Sequence, residues 1–195
     1  MLRATGRATA VAVGAGYLLG SVPVAVLVGR RHGLDPRRVG DGNPGYWNLR
    51  DQLGARAAAP VFAGDVAKGA VAGAVGRLVA PPGAWGVGYA GVGAAMVGHA
   101  WPVFARFRGG RSILTWTGGM CVLSPVAAGL AVAAFVGVAR AGSFAWGARL
   151  GVFAVPVIQL AVEPPRRVAA TGALMSIIGL RFALASRAAP VPAVG

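Results

Sequence analysis

Apolar residues along this chain fall into long unbroken runs. Residues 8–29, 78–105 and 112–139 carry no Asp, Glu, Lys or Arg over 22, 28 and 28 positions. Each run reaches or exceeds the roughly 20 residues that a helix needs to cross a bilayer. The two-residue alternation of a half-buried or barrel strand is absent, which sets a β-barrel aside. Three further runs are interrupted: 57–78 by Asp65 and Lys68, 141–162 by Arg149, and 168–186 by Arg181. The pattern predicts helices at about residues 9–29, 57–78, 85–104, 144–162 and 168–185. Residues 112–139 read either as one long tilted helix or as a shorter helix with a re-entrant piece. The count is then six, and splitting one run makes it seven. The expected fold is an all-α polytopic integral membrane protein, a compact bundle of about six to seven transmembrane helices in one domain spanning residues 1–195. Polar connections are expected at about 30–56 and 105–112.

Composition agrees with this reading. The chain is 56% hydrophobic and 12% charged with 32 glycines, and its mean hydropathy is +0.65. A soluble domain carries about twice that charge and about half that share of glycine. Glycines such as Gly14, Gly16, Gly20, Gly86, Gly88, Gly91 and Gly93 are expected mainly to let helices approach closely. Arg3 and Arg7 precede the first run as they would in a secretory leader. Ser21 and Pro23 interrupt that run and further spans follow, so it is assigned as the first membrane helix. Pro190 to Gly195 shows no periodicity and is expected to fray. No internal repeat points to an inverted-repeat transporter.

The formal net charge of +14 raises nucleic acid as a partner only for a soluble domain. Here the arginines cluster in short connections: Arg30, Arg31, Arg37 and Arg38; Arg50 and Arg56; Arg106, Arg108 and Arg111; Arg166 and Arg167. Positive connections stay cytoplasmic, near anionic headgroups. Two crossings separate the first and second polar connections, which places both on the cytoplasmic side with the N-terminus outside. Cys121 is the sole cysteine, so the chain has no internal disulfide, and its apolar run suggests a small buried hydrophobe.

Candidate chemistry gathers in four places. The first connection reads Gly40, Asp41, Gly42, Asn43, Pro44, Gly45, Tyr46, Trp47, Asn48, Leu49, Arg50. Its glycines can expose successive N–H groups to an anion, and Arg50 supplies a fork of donors for a phosphoryl group. The same residues equally suit a tight turn anchored at the interface by Tyr46 and Trp47. Asp65 and Lys68 stand three residues apart on one helix face, where ionisable groups are costly and mark either a site or a structural ion pair. His99 closes the third run ahead of Arg106, Arg108, Gly109, Gly110, Arg111 and Ser112. It is open to a structural hydrogen bond or to proton transfer; with His32 as the only other histidine, no metal is expected. The basic segment after it suits phosphate, and Ser112 is placed to cap the next helix. Ser21 either satisfies carbonyls freed by Pro23 or lends a hydroxyl to a site.

Taken together, Gly20-Ser21-Val22-Pro23; Gly40, Gly42, Asn43, Pro44, Gly45 and Asn48; Asp65, Lys68 and Gly69; and Gly98, His99, Pro102, Val103, Phe104, Phe107, Arg108, Gly109, Gly110, Arg111, Ile113 and Thr115 form a pattern. In order and spacing it resembles the bacterial membrane family of acyl-phosphate:glycerol-3-phosphate acyltransferases, over about residues 17–119. The resemblance implies a small polytopic enzyme of about seven helices in the bacterial inner membrane, with its site facing the cytoplasm. That enzyme moves a fatty acyl group from acyl phosphate to the 1-hydroxyl of sn-glycerol 3-phosphate, releasing lysophosphatidate and phosphate. Its partners are those two substrates and membrane lipids, with no cofactor, metal, nucleic acid or obligate protein partner. By the same resemblance Ser21, Asn43 and His99 are catalytic candidates. Gly42, Gly45, Asn48, Arg50, Lys68, Arg108, Gly109, Gly110 and Arg111 are candidates for substrate or phosphate binding, and Asp65 is a structural intramembrane acid. Arg108 and Arg111 stand where the family usually has Lys. Acyl phosphate carries its own leaving group, so orientation and charge control suffice and Ser21 need not be acylated.

The departures from the family pattern are specific. Asp41 replaces a small Ser, Tyr46-Trp47 replaces Ala-Thr, Arg50 falls one place early with Asp51 at the usual Arg position, and Ser112 and Leu114 replace Gly and Ala. The C-terminal Glu-containing motif is not recognisable, with Glu163 as a remnant or a loop charge. An inactive lipid- or phosphate-binding relative and a small transporter therefore stay open as alternatives.

Overall fold

The computed structural model describes residues 2–186; the C-terminal tail from Pro190 lies outside them. Nine α-helices are formed among the described residues: α1 Leu2–Gly20, α2 Val24–Arg31, α3 Tyr46–Leu53, α4 Ala55–Val79, α5 Gly86–Ala100, α6 Ile113–Leu123, α7 Pro125–Arg140, α8 Phe144–Val162 and α9 Pro165–Ser186. A single 3₁₀ turn, Val103–Ala105, lies between α5 and α6. The architecture is the expected all-α polytopic bundle. Four segments are long and apolar enough to cross a membrane: Leu2–Arg31, Ala55–Val79, Phe144–Val162 and Pro165–Ser186.

Proline places most of the breaks that the apolar pattern blurred. The first run is two helices, because Pro23 has no N–H to continue the ladder and the chain opens at Ser21–Pro23. The third helix stops at Ala100 rather than 104, since Trp101 precedes Pro102 and takes a non-helical conformation. Residues 112–139 are two helices joined at Ser124, with Pro125 opening α7. The connection at 30–56 is not all loop, for it contains the two-turn helix α3.

Close backbone contact joins the helices. Gly16 and Gly20 of α1 lie under the carbonyls of Gly91 and Ala95 in α5, and Gly98 lies under Tyr17. Gly69 of α4 abuts the Thr115 carbonyl of α6, and Gly118 abuts that of Val66. Lipid provides no hydrophobic drive for helix pairing, so van der Waals approach at small residues carries it. Gly14 and Gly86 are corrections, because each faces open space. Cys121 is also corrected: it is exposed on the outer surface of α6. Tyr89, Val92, Met96, Trp116 and Met120 form the buried centre, against Ala127, Val155 and Leu174.

Helix α6 starts beside Met96, to which the Ser112 hydroxyl donates at 2.8 Å, and ends where Arg77 donates to the Val122 carbonyl at 2.7 Å. It therefore runs alongside α4, and α7 returns against α8. The chain passes between the two ends of the bundle seven times among the described residues. Arg166 and Arg167 consequently lie beside Trp85 and Arg77, at the end opposite Arg108 and Arg111. The expectation that all arginine clusters share one side does not hold for this pair.

Candidate active site

The first connection is organised around one amide. Asn48, on the first turn of α3 and buried, donates through Nδ2 to the carbonyls of Pro36, Val39 and Asn43 at 2.8, 3.0 and 3.1 Å. Gly40 and Gly42 adopt φ of +57° and +68°, and a side chain on Gly40 would strike the Asn48 amide oxygen. The loop N–H groups are spent internally: Gly42 bonds Val39, Gly45 bonds the Asn43 carbonyl and Asn43 bonds the Asp41 carboxylate. The expected cradle of free N–H groups at Gly42 and Gly45 is therefore turned inward, and positive charge comes from side chains instead. Arg37 donates to Asp35 through Nε and Nη2 at 2.9 and 2.7 Å, which holds that carboxyl at about 2, below the usual 3.8.

Beneath this loop three ionisable groups from two helices converge. Asp65 and Lys68 of α4 are in contact at 2.8 Å, and His99 Nδ1 of α5 lies 3.5 Å from the same Asp65 oxygen. All three are buried. Lys68 also reaches the Val22 carbonyl at 3.4 Å, an acceptor exposed by the break at Pro23. The spacing of Asp65 and Lys68 revealed their pairing; His99 joins them only through the antiparallel packing of α4 and α5. The Ser21 hydroxyl is fully buried and accepts from the Val103 N–H at 3.4 Å. It ties α1 to the second connection.

That second connection is tightly bent, with Arg106, Phe107 and Ser112 all at φ between 56° and 64°. Left-handed non-glycine residues are costly and gather where the surroundings over-determine the backbone. Ser112 does not cap α6 through its side chain; its hydroxyl serves Met96 instead. The Gly110 N–H donates to the His99 carbonyl at 3.1 Å, so it too is unavailable to an anion. Gly109 packs so close to the His99 carbonyl that a side chain there would overlap it.

Arg181 of α9 was legible only as an interruption of the last apolar run. It donates to the carbonyls of Gly109 and Gly110 at 2.8 and 3.1 Å, with its guanidinium 5.2 Å from the Trp101 ring. An ionisable residue inside a membrane helix is a functional candidate by default, and that signal, applied to Arg181, would have found it.

An open cleft of about 610 Å³ lies between the two connections, lined by Arg37, Arg108, Arg111 and Arg181 with Asp41 and Asn43. Asp41 pairs with Arg111 across it at 2.9 Å. A narrow crevice of about 10 Å³ beside Asp65, Lys68 and His99 shares Pro44, Arg108 and Gly109 with that cleft. A small chamber, with Asn43, Asp65 and His99, shares Trp47, Ile113 and Leu114 with an apolar groove of about 150 Å³. That groove extends to Trp116, Met120, Val132 and Phe135. Arg50 is not brought to the cleft; it stacks on Trp47 and Phe144 at 5.9 and 5.4 Å. Among the described residues no His, Cys, Asp and Glu cluster has the form of a metal site.

The family model described as glycerol-3-phosphate acyltransferase matches residues 10–187. Relatives of that name include one from Rubrobacter xylanophilus, 44% identical over 56% of this chain and 54% of its own length. Another, from Exiguobacterium sibiricum, is 48% identical over 57% of this chain and 53% of its own. Glycerol-3-phosphate acyltransferase 5 of Dehalococcoides mccartyi is 41% identical over 74% of this chain and 62% of its own length. The chain thus spans about half the length of the first two relatives and somewhat more of the third. Among solved structures, an integral membrane glycerol 3-phosphate acyltransferase in its glycerol 3-phosphate form superposes with a TM-score of 0.79 at 24% identity, covering 93% of this chain and 94% of that one. Its lysophosphatidic acid form gives 0.77 at 22% identity with the same coverage.

Proposed function

Because this chain belongs to the glycerol-3-phosphate acyltransferase family, we propose that it transfers a fatty acyl group from acyl phosphate to the 1-hydroxyl of sn-glycerol 3-phosphate. The observation that carries this reading is the continuity of an arginine-lined cleft, a buried Asp65–Lys68–His99 cluster and an apolar groove. These suit, in turn, phosphate groups, the reacting centre and an acyl chain.

In this reading Arg108 and Arg111 clamp phosphate, assisted by Arg37. The glycerol hydroxyl oxygen attacks the acyl carbonyl, and the bond from that carbon to the phosphate oxygen breaks. The hydroxyl proton passes to the departing phosphate or to His99. Asn43 lines both the cleft and the Asp65–His99 chamber, where its amide orients the acceptor. Lys68, held by Asp65, supplies fixed positive charge beside the reacting carbonyl. Ser21, Asn48 and Arg181 act as positioning residues through the backbone they hold. The arginine-rich end is cytoplasmic: apart from Arg3, Arg7, Arg77, Arg166 and Arg167, the described arginines lie at that end.

Purified protein in lipid is expected to release phosphate from acyl phosphate only with glycerol 3-phosphate present, and to form lysophosphatidate. Changing Arg108 and Arg111 together to Gln is expected to cut kcat/KM at least about 100-fold, since each charged hydrogen bond is worth about 1.5–3 kcal/mol. Folded protein that makes no product with any acyl length overturns the reading. Binding without turnover supports a non-catalytic phosphate binder instead.

A further inference from the structure

Arg166 and Arg167 are the basic cluster that the site does not use. Arg167 and Arg77 line a cavity of about 530 Å³ at the far end of the bundle, with Trp85, Tyr89, Ala84 and Leu123, and Arg166 lies over the Trp85 ring that forms part of its wall. We propose that this cavity binds the phosphate headgroup of an anionic phospholipid in the leaflet opposite the active site.

Charge supports this assignment first. Of the five acidic residues in the chain, only Glu163 lies at this end. Glu163 accepts from the buried Gln159 amide at 3.3 Å and lies 3.7 Å from Arg167. Among the described residues, neither Arg77 nor Arg166 is ion-paired with a carboxylate. Arginine on this face also runs against the bias that keeps positive charge cytoplasmic, and an anionic headgroup offsets it.

Geometry points the same way. Arg77 is pinned at the mouth by its bond to the Val122 carbonyl at 2.7 Å. The Arg166 guanidinium lies 5.5 Å from the Trp85 ring, which meets Tyr89 edge-on at 5.5 Å. Tryptophan and tyrosine favour the headgroup level of a bilayer. The remaining wall is apolar, and the adjoining Leu78 is 85% exposed. Free phosphate would meet the arginines but leave that wall wet, whereas a phospholipid covers both.

A headgroup seated there bridges α4 through Arg77 to α9 through Arg167, with Arg166 adding positive charge beside Trp85, and α9 has little other burial. Binding should therefore appear as stability. Protein in neutral phosphatidylcholine micelles is titrated with phosphatidylglycerol, with inorganic phosphate as a separate arm, and thermal unfolding is followed. Phosphatidylglycerol at about 100 times its Kd is expected to raise Tm by about 5 °C or more. Inorganic phosphate should not. The R77Q variant and the R166Q/R167Q double variant are expected to weaken the lipid response at least about ten-fold, with R31Q at the other end unchanged. If R77Q fails to fold, the double variant carries the test, because both guanidinium groups lie at the surface. The proposal is overturned if inorganic phosphate or added phosphatidylcholine gives the same rise, if R166Q/R167Q keeps it, or if R31Q loses it. None of these outcomes depends on acyl transfer.

Discussion

Asp41 and Arg111 face each other across the mouth of the arginine cleft, with the carboxylate side chain 47% exposed and the guanidinium 24%. In this position Asp41 competes with a phosphate for the Nη1 edge of Arg111. Exposed ion pairs are worth at most about 1 kcal/mol, so the competition is modest. Asp41→Ser is expected to lower the KM for glycerol 3-phosphate about two- to five-fold, read from initial rates at fixed acyl phosphate; an unchanged or raised KM excludes such competition. Sequence singled out Asp41 as a departure from the family pattern, yet its partner lies 70 positions away on another connection. Arg181 was harder to find: its acceptors are backbone carbonyls more than 70 residues earlier, and a carbonyl leaves no mark on composition.

Helix pairing rests on a few backbone contacts whose worth can be measured. A side chain at Gly69 would overlap the Thr115 carbonyl and crowd the Gly119 N–H, both backbone groups of α6. Gly69→Ala is expected to destabilise the fold by about 1–3 kcal/mol, the usual cost of overpacking. Gly14 sits in a helix interior with open space where a Cβ would go, so Gly14→Ala is expected to be neutral or to stabilise by up to about 1 kcal/mol. Thermal unfolding of the two variants in detergent tests the contrast, and equal effects would show that α4 and α6 do not meet as described. Hydrophobic runs announced every membrane segment. They concealed the breaks at Pro23 and Ser124 because apolar residues continue through both, and lipid tolerates a kink wherever neighbours satisfy the freed backbone groups. At the first break that neighbour is Lys68, which bonds Val22.

Across the whole molecule, the split at Ser124 decides orientation. Seven passes put residue 143 at the site end and residue 164 at the other, whereas six would put the second beside the site. In a Cys121→Ser background, Ser143→Cys is expected to react with an impermeant maleimide only from the side of sealed, oriented vesicles that carries the polar connection at 30–56, and Pro164→Cys only from the other; the reverse assignment overturns the seven-pass arrangement. The membrane class, the two polar connections and the Asp65–Lys68 pair followed from sequence alone, because burial in lipid and i,i+3 proximity are local properties that each segment carries with it. Three matters were settled only by tertiary structure: which loop N–H groups are already bonded, where His99 and Arg181 reach, and on which face Arg166 and Arg167 emerge. Each depends on helices far apart in sequence approaching within hydrogen-bond or van der Waals distance, and small residues permit that approach without specifying the partner.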